Sequence, residues 1–153
     1  MNTVALYRPV GPEELKLIIE SGWKKFPPRL EWQPIFYPVL NEEYAIQIAR
    51  DWNVDASGSG HVTKFNVDAD YVKKFDVQNV GVTIHEELWV PAEELENLNN
   101  HILGFIKVVN VFFGTAFILP NHVLVREDLK AYCIIPPRYA HVPMWKTHGR
   151  YRK

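Results

Sequence analysis

The chain has 153 residues, 47% of them hydrophobic and 23% charged, with a formal net charge of -1. That length suits one compact domain, and that composition excludes a largely disordered or low-complexity chain. A single cysteine, Cys133, excludes an internal disulfide and a cysteine-built metal cage.

The longest apolar region, Ile102 to Leu119, is broken by Gly104, Lys107, Asn110, Gly114 and Thr115, so it falls short of the roughly 18 residues of a membrane span. The first residues lack the basic start and apolar run of a secretory signal. A soluble, cytoplasmic protein with no membrane partner is expected. Charge is unevenly spread: residues 1–100 carry 9 Lys/Arg against 16 Asp/Glu, whereas residues 101–153 carry 8 against 2. The division expected is a single domain over 1–137 followed by a basic C-terminal tail, 138–153. Such a tail docks on the chain's own acidic part, stays solvated, or attracts nucleic acid.

In chain order, Thr3 to Arg8 reads as a strand ended by Pro9. Gly11-Pro12-Glu13-Glu14 opens a helix with the stripe Leu15, Ile18 and Ile19, stopped by Ser21-Gly22. Three prolines make 24–34 irregular. Ile35 to Tyr37 with Val39 reads as a second strand. Asn41 then caps a helix with Tyr44, Ala45, Ile48, Ala49 and Trp52 on its apolar side. Residues 55–60 read as a flexible turn, His61 to Val67 as a strand, and Asp68 as the cap of a short helix through Tyr71 and Phe75. Residues 83–95 read as a strand running directly into a helix that starts at Pro91. Strands follow at 102–113, 116–119, 122–125 and 131–135. Helices in the first two-thirds with strands dominating the last third argue for an α+β fold.

Several chemistries are excluded. The serines at 21, 57 and 59 sit in no nucleophile elbow, and Cys133 reads as a packing residue in an apolar strand. No Gly-rich phosphate loop is present, and the six scattered histidines have no ligand spacing, so no metal is expected. What remains is an acidic strand, an early arginine and several aromatics. Period-two alternation puts His85, Glu87 and Trp89 on one strand face. Glu87 there suits a general base or the stabilisation of a cationic sugar carbon. Arg8 suits a forked contact to a phosphate or carboxylate. The plainer alternative stays open: Glu86 and Glu87 lie on a solvated edge and Arg8 pairs with one of them.

The order of these segments resembles the ADP-ribosyltransferase fold, whose members transfer ADP-ribose from NAD. Leu6-Tyr7-Arg8 is similar to that family's first strand motif. Ile35-Phe36-Tyr37-Pro38 with the following Asn41–Ala45 is similar to the second, and His85 to Pro91 is similar to the third. The resemblance covers roughly residues 4–110. It implies two sheets flanking a cleft, NAD as substrate, and a protein or nucleic-acid acceptor. A neutralising protein partner also belongs to the toxin-like branch. It implies that Arg8 holds NAD, that Tyr37 and Phe36 stack beside the nicotinamide, and that Glu87 stabilises the oxocarbenium-like state. His85 stands where the arginine-modifying branch has Glu, so it would serve another acceptor or the protein would hydrolyse NAD. Tyr44 and His61 are further candidates for the cofactor cleft, against a core tyrosine and a surface histidine, and Trp89 reads as a buried anchor. The competing class is an inactive member of the fold that binds nucleic acid or an acidic protein through Arg138, Tyr139, Trp145, Lys146, His148 and Arg150–Arg152.

Overall fold

A computed structural model describes residues 2–81, 84–113 and 149–151. The expected strands at 116–119, 122–125 and 131–135, Cys133, and the basic tail apart from Gly149–Tyr151 lie outside the described residues. The fold is α+β. Strand β1 (Thr3–Val10) leads into helix α1 (Pro12–Glu20), and the short strand β2 (Ile35–Phe36) into helix α2 (Glu42–Ile48). A π-helical turn (Ala49–Asn53) and helix α3 (Val54–Ser57) precede the long strand β3 (Ser59–Asp68). Helix α4 (Ala69–Val72) and strands β4 (Val77–Asn79), β5 (Glu86–Leu88) and β6 (Val90–Pro91) follow. A 3-10 turn (Ala92–Glu94) enters helix α5 (Leu95–Asn100), and β7 (Ile102–Phe113) and β8 (Gly149–Tyr151) complete the described chain. Among the described residues no helix is long and apolar enough to cross a membrane.

The main sheet has the order β1-β3-β7-β8, antiparallel except for the β7–β8 pair. A smaller system stands beside it. Ile35 pairs with Pro91, Phe36 with Val90 and Val39 with Glu87, all in one antiparallel register, and β4 pairs with β5 on the far side. The two systems meet at Tyr7 and Val39, which exchange backbone bonds of 2.9 and 2.7 Å.

Why they meet only there follows from two residues. In an antiparallel ladder the exchanged bonds recur at every second residue, so the next pair would be Pro9 and Tyr37. Pro9 has no N–H to donate, and the ladder stops. The strand itself does not end at Pro9, as its sequence suggests, but runs to Val10 against β3. Its missing donor points away from β3, where it costs no bond to that strand. The strands β1 and β2 therefore part beyond Tyr7 and Val39.

Local sequence explains the helices. Pro12 occupies the first turn of α1 with Glu13 and Glu14 beside the positive end of its dipole, and Leu15, Ile18 and Ile19 are buried. Asn41 caps α2 by accepting from the Tyr44 amide at 2.7 Å. The expected stripe of this helix fails at Trp52, which is 73% exposed. The π-helical turn widens the helix after Ile48, so the spacing that keeps Ala45 and Ala49 buried no longer carries Trp52 inward. Residues 55–57 are helical rather than a loose turn, closed by Gly58 at φ 86°.

Both faces of the main sheet are covered. Leu6, Val10, Phe65, Ile106 and Val108 pack with α1, α5 and Phe26 on one side. Val39, Val62 and Phe112 pack with Ala45, Ala49 and Val54 on the other. This second contact requires Gly60. A Cβ there would run into the Ala49 carbonyl group and come within 2.9 Å of the Asn53 Cβ. Gly60→Ala is expected to destabilise the fold by about 1–3 kcal/mol through overpacking. Urea unfolding should show a lower midpoint at unchanged m, and an unchanged midpoint would refute this close approach.

Candidate functional site

A cleft of about 700 Å³ opens where β1 and β2 part. Arg8 and Pro9 come to it from β1, Tyr37 from the residue after β2, and Tyr44, Gln47 and Trp52 from α2 and the π-helical turn. His85, Glu87 and Trp89 enter from the β5 side. This volume falls within the ~300–1,000 Å³ of small-molecule and cofactor sites. Alternation selects the lining. Leu88 and Val90 are buried in the core on one side of their strand, while His85, Glu87 and Trp89 face the cleft.

Glu87 is held at both oxygens. Its Oε1 accepts from the Tyr44 hydroxyl at 3.0 Å and its Oε2 from the Trp89 indole N–H at 2.8 Å, and the residue is only 8% exposed. Neither donor is charged. Among the described residues the carboxylate thus has its orientation fixed without a cation paired to it. Burial, then the hydrogen bond to Glu87, pushes the Tyr44 phenol up to about 12, so Tyr44 remains a neutral donor near neutral pH.

The Tyr44 ring stacks on His85 at 4.5 Å, and His85 Nε2 lies 2.9 Å from Gln47 Oε1. With the Gln47 oxygen as acceptor, Nε2 carries the proton and Nδ1 keeps its lone pair. Gly81 leaves room for that ring, since a Cβ there would strike Nδ1. Tyr37 meets Trp89 edge to face at 6.2 Å. Trp89 is 45% exposed and forms part of the wall, not the buried anchor its sequence position suggests.

Arg8 borders the cleft, but its guanidinium is committed elsewhere. Nε and one terminal nitrogen donate to the two oxygens of Glu14, at 2.6 and 2.9 Å, and the group lies 4.4 Å over the Phe36 ring. Glu14, in the first turn of α1, is therefore its partner, not Glu86 or Glu87.

Two candidates lie away from the cleft. Phe36 is buried among Phe26, Leu88 and Val90, because its neighbour Tyr37 takes the cleft-facing position. His61 is buried, not on the surface, since Ser59 and Gly60 already belong to β3 and its pairing with Val10 and Val111 sets it on the face of the sheet that packs against α1, opposite Gly60. Its Nε2 is 3.0 Å from Ser59 Oγ. Tyr37, Tyr44, His85, Glu87 and the edge of Arg8 are thus brought together, and Phe36 and His61 are not. Sequence reasoning missed Gln47 and Trp52. Gln47 was detectable as the residue three after Tyr44 on the same helical face, whereas Trp52 depends on a π-helical turn with no local signature. Among the described residues no three His, Cys, Asp or Glu side chains gather as a metal site.

Burial pushes the His61 imidazole down from 6.5 to about 3. Folding therefore favours its neutral form, and the unfolded chain takes up the proton first as pH falls. The stability this holds is complete above pH 6.5 and is lost progressively toward pH 3. Between pH 6.5 and about 5, above the usual carboxylate range, the wild-type slope should approach about 1.4 kcal/mol per pH unit. His61→Gln should flatten that limb in urea titrations. An equal slope in both proteins would mean that His61 is charged in the fold.

No protein-family model matches the chain and no curated protein matches it in sequence, so the chemistry of this cleft is argued from its own residues.

Proposed function

We propose that the cleft binds NAD and breaks its nicotinamide–ribose bond, passing ADP-ribose to an acceptor or to water, within an ADP-ribosyltransferase-like fold. One observation carries this reading. A nearly buried carboxylate, fixed by two neutral donors, stands in an aromatic-walled cleft shared by Arg8, Tyr37 and His85. A carboxylate so placed stabilises positive charge that develops beside it, and its orientation needs no rearrangement during the reaction.

In the proposed reaction the bond from ribose C1′ to the pyridinium nitrogen breaks. Its electron pair goes to that nitrogen, and neutral nicotinamide leaves. The cationic sugar carbon is stabilised by Glu87, while Tyr37 and Trp89 offer ring surfaces for the departing base. The acceptor's lone pair then forms the new bond at C1′, and its proton passes to a base. His85, with a lone pair at Nδ1 in the tautomer that Gln47 favours, suits that step.

Glu87→Gln tests the role of the charge. The amide keeps the size, its oxygen can accept from Trp89, and its NH2 can donate to the Tyr44 oxygen, so the local bonds survive. Nicotinamide release should fall by about 10²–10³-fold while NAD binding, followed by thermal shift, is retained. Equal release by the variant and wild type would remove Glu87 from the chemistry. Wild type that releases no nicotinamide with water or any of a panel of acceptors would leave the binding-module reading, which rests on residues 138–153.

A further inference from the structure

A cleft that takes a dinucleotide needs a cation for the diphosphate, and the obvious one is spoken for. Arg8 gives Glu14 two short parallel bonds, and both side chains are largely buried. An incoming anion would have to compete with a carboxylate already in the best geometry for a guanidinium. A second guanidinium stands against the same ring: Arg29 lies 5.8 Å from the Phe36 centroid, and its Nε donates to the Ile35 carbonyl at 3.1 Å.

That single bond orients the fork without using its ends. Among the described residues the terminal nitrogens of Arg29 have no hydrogen-bond partner. The group is half-buried, and it lies near the charges of Arg8 and Glu14 and close to Tyr37. Burial, then the nearby Arg8, pushes its pKa below the ordinary arginine value, a penalty that an anion at this place would relieve. Two arginines and one glutamate leave one positive charge in excess, next to Tyr37 at the point where β1 and β2 part.

We propose that Arg29 receives a phosphate or phosphoanhydride group of the cleft's ligand, while Arg8 and Glu14 act as a fixed pair that holds Phe36 and the edge of the cleft. In assigning that group to the diphosphate of a dinucleotide, the inference rests on the NAD reading. Capture of the anion itself does not.

The experiment uses inorganic pyrophosphate and, separately, ADP-ribose as probes, with affinity measured by calorimetry on the full chain. Wild type should bind both. Arg29→Gln should weaken both by about ten- to a hundredfold, the loss of hydrogen bonds to a charged group. Arg29→Lys keeps the charge but not the fork, and should lose at least severalfold. Glu14→Gln frees Arg8 and removes a negative charge, so pyrophosphate should bind more tightly than to wild type. No pyrophosphate binding by wild type overturns the inference, as does equal affinity in Arg29→Lys, which also decides the matter if Arg29→Gln does not fold. Anion binding that depends on Arg29 without nicotinamide release would defeat the NAD reading alone. Release without any dependence on Arg29 would defeat this inference alone.

Discussion

The bridge between Tyr7 and Val39 is the contact on which the site depends. It is the point at which the small strand system joins the main sheet, and Val39 is paired on its other side with Glu87. Tyr7, Val39 and Glu87 therefore stand in one row on one face. That is the face covered by α2, which brings the Tyr44 hydroxyl to Glu87. The same bridge limits itself. Because Pro9 cannot donate, the next pair of bonds is missing, and the strands open into the cleft instead of closing as one continuous sheet. A backbone donor absent from one position thus separates a flat, fully paired sheet from a sheet with a pocket.

The strain-free economy of this arrangement is visible in the surrounding helices. Asn41 ends the strand that carries Val39 and at once caps α2, so the distance from the bridge to Tyr44 is set within five residues. Its side-chain amide also reaches the Ile84 carbonyl at 2.5 Å, tying the start of α2 to the segment that leads into Glu87. Gln47 and His85 add a second tie six residues further along the helix. Helix and strand are tied at two points just ahead of the carboxylate, so its two neutral donors arrive from separate elements already fixed relative to each other.

Much of this was legible in the sequence, for identifiable reasons. Pro12, Asn41 and Asp68 mark helix starts by local chemistry alone, and period two correctly grouped His85, Glu87 and Trp89. Those signals act over a few residues. What could not be read depends on contacts between distant segments. Arg8 chooses Glu14 because α1 folds back along β1, although Glu86 and Glu87 were equally suitable by charge. Phe36 and Tyr37 are adjacent aromatics, and only the side on which the core forms decides which is buried. His61 follows a Gly-Ser segment that looks like a loop but belongs to β3, where Gly60 is required for the close approach of the π-helical turn and not for a turn of its own. Trp52 sits within a π-helical turn, and a helix pattern read at 3.6 residues per turn places it on the wrong side.

The distribution of charge gives the cleft a direction. Had Arg8 paired with Glu87, the carboxylate would have been neutralised and of little use to a developing cation. The Arg8–Glu14 pair prevents this by occupying the guanidinium, and the Tyr44 and Trp89 donors fix Glu87 without adding positive charge. Among the described residues the Glu87 carboxylate therefore has no paired cation, while the proposed anion site at Arg29 stands near Arg8, at the border of the cleft. A ligand that carries a positive centre and a negative group, separated by a sugar, fits that polarity in one orientation only. Reversal would set its anion against Glu87 and its cation against Arg29, and like charges in a partly dehydrated site repel strongly. The orientation of the proposed substrate thus follows from where the chain places its ion pair and does not require a specific contact to the base.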